Sequence, residues 1–193
     1  MNQGRVVKNN QIAVIYYSAS GSTEQLAGAI AEGVDSVAGA HAVSVKISGK
    51  DIHEGRYTND EVMSLLTESR GIVFGSPTYM GGVAAQFKAF ADATSELWYR
   101  REWLDKVASG FTVGGSPSGE QMSTIQYIQT LAAQHGMHWV AVDALRSEHI
   151  NRLGASSGLI TQSVQGELSV ADYETGKALG VRVASLAEKL VSS

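Results

Sequence analysis

This sequence predicts an α/β fold with a doubly wound parallel sheet, on three observations. Short, almost unbroken apolar runs recur along the chain, as in strands buried on both faces. They alternate with segments whose apolar residues repeat at helical spacing. The loops after the first, third and fourth runs are rich in glycine and hydroxyl residues, and such loops meet outside the carboxyl ends of the strands.

The elements follow in order. Residues 12–17 (Ile-Ala-Val-Ile-Tyr-Tyr) read as the first strand, and Leu26, Ala27, Ile30, Val34 and Val37 mark the first helix. Val43, Val45 and Ile47 alternate, which predicts a more peripheral second strand. Residues 51–60 are polar and irregular, and Val62, Leu65 and Leu66 mark a short helix. Residues 71–75 form the third strand and lead into a turn at Gly75, Ser76, Pro77 and Thr78. A helix over residues 83–95 carries Phe87, Phe90 and Ala91. Residues 107–113 read as the fourth strand, and 122–135 as a helix with Ile125, Ile128 and Leu131 on its apolar face. Residues 138–142 are the fifth strand, while 144–165 show no period, and connections of that length are often functional. The last helix starts near Ser169, with Leu179, Val183, Leu186 and Leu190 as its stripe. No repeat or linker interrupts, so residues 1–193 read as one domain around a five-stranded sheet.

Composition narrows the function. The chain has 193 residues, 44% hydrophobic and 18% charged, enough to bury a core unaided. A net charge of -4 without a Lys/Arg cluster argues against a nucleic-acid partner. There is no cysteine, which excludes disulfides, thiolate nucleophiles, iron–sulfur clusters and cysteine zinc sites. Redox chemistry must therefore belong to a bound cofactor. His41, His53, His138 and His149 lack metal-ligand spacing, so no metal is expected. No apolar stretch would span a bilayer, and residues 1–10 are polar, unlike a signal peptide. The expectation is a cytoplasmic protein without membrane insertion. Pro77 and Pro117 are both placed in loops.

Ser18, Ala19, Ser20, Gly21, Ser22 and Thr23 join the first strand to the first helix. Hydroxyl donors, a glycine and the positive end of a helix make an anion site that needs no Lys or Arg. The loop has neither the Gly-x-x-x-x-Gly-Lys of an ATP-binding loop nor Gly-x-Gly-x-x-Gly. It also reads as a plain helix start, with Ser22 or Thr23 capping ahead of Glu24. Pro77, Thr78, Tyr79, Met80 and Gly81 form a rigid turn that displays an aromatic: a wall for a flat ring, or a tight turn packed on the surface. Thr112, Val113, Gly114, Gly115, Ser116, Pro117, Ser118 and Gly119 let the backbone approach a ligand and offer N–H groups to polar ring edges, or form a flexible loop. One ligand with a ring at one end and a phosphate at the other fits all three.

These loops do not stand alone. With them go Gln86, Phe90, Asp92, Thr94, Leu97 and Trp98, then Leu131, Ala132, His135, Gly136 and Met137, then Glu167, Leu168, Ser169, Ala171 and Tyr173. Together they resemble the tryptophan-repressor-binding-protein A type (WrbA-like) NAD(P)H:quinone oxidoreductases of the flavodoxin-like superfamily, over residues 12–190 and in chain order. The resemblance implies a three-layer flavodoxin-like sandwich with strand order 2-1-3-4-5. It implies FMN as cofactor, NAD(P)H as hydride donor, and two-electron reduction of a quinone or other small acceptor by a ping-pong mechanism. Residues Ser18, Ala19, Ser20, Gly21, Ser22 and Thr23 would bind the FMN phosphate. Pro77, Thr78, Tyr79, Met80 and Gly81 would flank the isoalloxazine, and Thr112, Val113, Gly114, Gly115, Ser116 and Gly119 would hold its pyrimidine edge. His135 matches the family histidine near the flavin, as catalytic group and cofactor contact. Trp98 matches the aromatic that walls the substrate pocket. The family forms homo-oligomers, dimers or tetramers, whose subunits meet around that pocket. Ser20 stands where the family carries an aromatic that contacts the nicotinamide nucleotide, and the third loop departs from the family's Gly-Thr-Gly-Gly-Gly character.

Local readings stand beside these. His135 also reads as a cationic cap at a helix end before Gly136. Trp98, near Tyr99 and Trp103, also reads as a core or interface residue. Asp143 could reach ribityl or substrate groups; Arg146 and Arg152 read as attractors of nucleotide phosphates or as solvated loop charges. Two rivals to the reductase are a flavodoxin-type one-electron carrier and an FMN-binding protein with little turnover.

Overall fold

The computed structural model describes residues 10–192; residues 1–9, most of the polar stretch read as unlike a signal peptide, lie outside them. Strand β1 (Gln11–Tyr16) is followed by helix α1 (Ser22–Asp35) and the edge strand β2 (His41–Lys46). A 3-10 turn (Gly49–Asp51) and a small hairpin, β3 (Ile52–His53) with β4 (Arg56–Tyr57), fill the segment read as irregular. Next come α2 (Asp60–Glu68), β5 (Gly71–Tyr79), β6 (Gly82–Val83), α3 (Ala85–Ala93) and α4 (Ser95–Tyr99). The chain ends with β7 (Val107–Gly114), α5 (Gln121–Gln134), β8 (His138–Trp139), β9 (Leu159–Gln162) and α6 (Val170–Ser192). No described helix is long and apolar enough to cross a membrane.

Among the described residues the main sheet has seven strands, not the five expected. It runs along β2-β1-β5-β7-β8, with β6 antiparallel on β5 and β9 parallel on β7. β8 pairs with Val107 and Ala108, whereas β9 pairs with Phe111, Thr112, Val113 and Gly114, so two short strands share one edge of β7. The strand expected over 138–142 stops at Trp139 because the chain swings outward: the Val142 N–H bonds to Ser156 O at 2.9 Å instead of to β7. β9 lies inside the stretch read as having no period. The helix expected over 83–95 is two helices meeting at Thr94, whose hydroxyl donates to Ala91 O at 2.7 Å.

Alternate residues of the central strands feed two cores. Ile12, Val14 and Tyr16 pack with Leu26, Ile30, Leu179 and Val183 beneath α1 and α6. Ala13, Ile15, Ile72 and Phe74 pack with Phe87, Phe90, Trp103 and Ile128 on the other face. Burial on both sides is why these strands read as continuous apolar runs. Helices α1 and α6 touch through glycine. A Cβ on Gly180 would lie 2.0 Å from Ile30 O, and one on Gly33 would lie 2.0 Å from Lys177 O. That close contact seats α1, and the loop that feeds it, against α6.

Pro77 was expected in a turn but lies inside β5, opposite Val113. Gly75 O accepts from Tyr17 N at 3.1 Å, so Pro77, two residues on, faces the same side, where β1 has already ended. Its missing N–H therefore breaks no ladder bond.

Candidate functional site

The loops after β1, β5 and β7 lie side by side at the carboxyl ends of neighbouring strands, the place where a doubly wound sheet opens its ligand crevice. In the first loop Ser18 is buried, and its Oγ accepts from Gly21 N at 3.1 Å and from Glu24 N at 3.3 Å. The expected caps, Ser22 and Thr23, are instead the first two residues of α1, and Gly21 precedes them with a left-handed φ of 99°. The backbone N–H groups of Ser22 and Thr23 have no acceptor among the described residues. Open space surrounds the Gly21 Cα, and Ala19 and Ser20 are exposed.

The second loop is a two-residue hairpin. Met80 (φ 47°) and Gly81 (φ 79°) are both left-handed, the geometry of a type I′ turn, and they join Tyr79 to Gly82. Met80 is fully exposed and Tyr79 half so. A fully exposed apolar side chain on a left-handed residue carries strain that nothing in the core repays. Burial, and Tyr17 nearby, push the Tyr79 hydroxyl above its ordinary pKa. The Thr78 hydroxyl turns inward and meets Thr112 Oγ1 and Thr124 Oγ1, each at 2.8 Å, which ties β5, β7 and α5 together.

In the third loop Gly115, Ser116, Pro117, Ser118 and Gly119 are exposed, and Gln121 is buried beneath them. Gln121 Nε2 donates to Ser116 O at 2.7 Å, while its Oε1 has no partner among the described residues. A Cβ on Gly114 would fall 2.4 Å from Gln121 Nε2. The second and third loops touch: a Cβ on Gly81 would sit 3.8 Å from Glu120 Cβ.

A fourth segment, at the end of the connection 144–165 whose length pointed to function but not to a role, closes the same end. After β9, Ser163 N donates to Gly114 O at 2.9 Å, and Gln162 Nε2 donates to Gly115 O at 3.3 Å. Ser163 Oγ lies 2.9 Å from Ser22 Oγ, and the Ser22 hydroxyl donates to Gly166 O at 3.1 Å. The one local signal was Gly166, which is left-handed with φ 93°.

Trp98 and His135 do not join these loops within one chain. His135 ends α5 and precedes β8, at the amino ends of the strands, so the length of β7, 8 residues at roughly 3.3 Å each, separates it from the crevice. Its Nε2 is 2.9 Å from Thr94 Oγ1, its ring centroid 4.3 Å from that of Trp103, and its Nδ1 lacks a partner among the described residues. His135 is the C-cap residue of α5, with left-handed Gly136 (φ 69°) after it, as the local reading expected, but burial pushes its pKa down to about 4, so the capping ring is neutral near pH 7 rather than cationic. It lines a groove of about 290 Å³ with Asp92, Thr94, Trp98, Tyr127 and Leu131. Trp98 is half-exposed there; Trp103 is the tryptophan of the core. Asp143 is held by Arg182 Nη1 at 2.7 Å.

The sequence profile of NADPH-dependent FMN reductases matches residues 10–149. This chain belongs to that family. Like it, flavodoxin FldP of Pseudomonas aeruginosa (strain UCBPP-PA14) is 38% identical over 192 residues, covering 94% of this chain and 98% of that protein. An NAD(P)H dehydrogenase (quinone) of Geotalea daltonii is 32% identical, covering 94% and 98%. Among solved structures, the flavodoxin, WrbA-like protein from Agrobacterium tumefaciens matches with a TM-score of 0.76 at 37% identity, covering 93% of this chain and 98% of that one. This FMN reductase family member is thus a WrbA-like protein of the flavodoxin fold. Its cofactor is FMN and its electron donor NAD(P)H.

Proposed function

We propose that the crevice holds FMN and that the protein uses it to reduce quinones with NAD(P)H in a ping-pong cycle. The first loop carries this reading: a left-handed Gly21 in open space, with the unpartnered Ser22 and Thr23 amides at the positive end of a 14-residue helix. Those groups fit a phosphate dianion without a counter-cation. Ser18, Ala19, Ser20, Gly21, Ser22 and Thr23 hold the phosphate. Pro77, Thr78, Tyr79, Met80 and Gly81 flank the ring, and Thr112, Val113, Gly114, Gly115, Ser116 and Gly119 hold its polar edge. Bound there, FMN would supply the two-electron redox chemistry between NAD(P)H and a quinone. The protein's own groups bind, orient and shield: Tyr79 and Met80 cover the ring site, and Tyr79 stays protonated. Ser20 offers the nicotinamide nucleotide a hydroxyl in place of an aromatic face. Relatives named NAD(P)H dehydrogenase (quinone) support the acceptor class.

Trp98 and His135 enter this chemistry from a second copy of the chain, which makes the protein a homo-oligomer, dimer or tetramer. Support comes from the half-exposed Trp98 and from the buried, unpartnered His135 Nδ1 in the same groove. With the Thr94 proton given to Ala91 O, the neutral His135 ring donates Nε2–H to Thr94 Oγ1 and keeps Nδ1 as an acceptor for a hydroxyl of the reduced quinone.

The test is to strip the protein of flavin, titrate it with FMN, and mix the complex with NADH or NADPH followed by a benzoquinone. The expected result is tight FMN binding, flavin bleaching by nucleotide, and recovery of colour on adding the quinone. Failure to bind FMN at millimolar concentration would overturn the cofactor site. The 38% identity to a protein called flavodoxin favours a second reading, a one-electron carrier. No bleaching by either nucleotide, with ready photoreduction to a one-electron-reduced spectrum, would establish the carrier instead.

A further inference from the structure

Arg152 lies midway through residues 140–158, which leave the edge of β7 between β8 and β9. The sequence suggested a solvated charge or an attractor of nucleotide phosphates. The structure shows a clamp. Arg152 Nε donates to Ser169 Oγ at 2.9 Å and to Asp172 Oδ1 at 3.0 Å. Its Nη2 donates to Asp172 Oδ2 at 2.7 Å and to Gln162 O at 3.2 Å. Asp172 is only 2% exposed, so this fork is largely shielded from water. Asn151, buried and left-handed at φ 45°, adds a second anchor. Its N–H donates to Thr175 Oγ1 at 2.7 Å and its Nδ2 to Ala144 O at 2.9 Å. Two consecutive residues thus plug the excursion into the first turns of α6.

The Gln162 carbonyl held by Arg152 is one residue from Ser163, and Ser163 touches the crevice. The Ser22 hydroxyl gives its proton to Gly166 O, so Ser163 Oγ is the donor to Ser22 Oγ. Ser22 has no other side-chain partner among the described residues. The third loop is also tied to this segment, by Ser163 N to Gly114 O and Gln162 Nε2 to Gly115 O, but neither bond uses the Ser163 hydroxyl, and the Gln121–Ser116 bond adds a separate strut. The Ser163 hydroxyl itself serves the first loop through Ser22.

We propose that Arg152 is a positioning residue for the phosphate end of the cofactor, acting through Ser163 and Gly166 on Ser22. The proposal rests on the FMN reading above and adds a residue that never touches the ligand. A phosphate-end effect is separable from general loosening because riboflavin carries the ring without the phosphate.

The test titrates the flavin-stripped full chain with FMN and with riboflavin in three forms: wild type, Arg152→Lys and Ser163→Ala. Lysine keeps the charge but loses the two-pronged fork. In both variants FMN binding should weaken about tenfold while riboflavin binding moves less than about twofold, the scale of one charge-assisted bond. Equal weakening of both ligands, or no change in either, would overturn the proposal. Should Arg152→Lys fail to fold, Ser163→Ala decides alone, since it removes one surface-proximal hydroxyl; an unchanged FMN-to-riboflavin ratio there refutes the path. Wild-type protein that binds neither ligand would remove the flavin reading itself, and this proposal with it.

Discussion

The two ends of the sheet are built from different materials. At the carboxyl ends the crevice is made of backbone amides, hydroxyls and left-handed turns, with Gly21, Met80, Gly81 and Gly166 all at positive φ. At the amino ends the groove is made of side chains: Trp98, Tyr127, Leu131 and a neutral, buried His135. On the proposed reading, the first end would bind through main-chain geometry within one chain. The second presents an aromatic, half-open wall that a second copy would complete. A site made of local turns can be recognised from short stretches of sequence; a wall made of scattered side chains cannot.

The sharpest way to break this contrast is Gly21→Val. A β-branched residue at φ 99° is strained, and its side chain would crowd the open space beside the first-turn amides. FMN affinity should fall roughly a hundredfold, about 2.7 kcal/mol, with the melting temperature changed by a few degrees at most. His135→Ala at the other end should leave FMN affinity within about twofold, because within one chain the two sites share no partners and the partner's imidazole is proposed to meet the acceptor rather than the phosphate end. Parallel fluorescence titrations decide it; a large loss in His135→Ala, or none in Gly21→Val, would erase the distinction between the ends.

Legibility in the sequence follows the same line. β1, β5 and β7 were readable because both their faces are buried, which leaves unbroken apolar runs. The first loop was readable because all its parts lie within six consecutive residues. β9 was not: Leu159, Ile160, Thr161 and Gln162 are too few to show a period, and their pairing with β7 depends on a 19-residue excursion returning to the sheet. Arg152 read as a loose charge because its partner, Asp172, is 20 residues away on another element. Trp98 and His135 were singled out as candidates by residue type and motif, but that they share one groove, and at which end of the sheet, depends on chain direction in α5, which no short window contains. Pro77 misled for a related reason, since its tolerance depends on where the neighbouring β1 stops.

Acid should act on the amino end and spare the crevice. Burial holds the His135 pKa at about 4, below the ordinary 6.5 of an imidazole in water. Between those values the unfolded chain binds more protons than the folded one, so stability falls as pH falls through that window and is unaffected by this group above it. The loss by pH 4 should be on the order of 2 kcal/mol. His135→Gln removes the titration, so its melting temperature should drop less than that of wild type between pH 7 and 4. Parallel curves for the two proteins would mean that the imidazole is hydrated and titrates normally, and the groove would not be the dry wall described.

The smallest effect sharpens the boundary between frame and ligand contact within the crevice. Thr78 is placed in the ring-binding loop, yet its hydroxyl is already spent on Thr112 and Thr124. Thr78→Val keeps the shape and removes that junction, leaving two buried hydroxyls each short of one partner. Urea unfolding should show a loss of about 1–2 kcal/mol. FMN affinity should change by no more than about threefold, since a hydroxyl turned inward and already bonded to two neighbours has little to give a ligand. If affinity collapses while stability holds, Thr78 must turn its hydroxyl outward when the ring arrives. The three-threonine junction would then be a rest position, and the carboxyl end would owe part of its binding to a side chain after all.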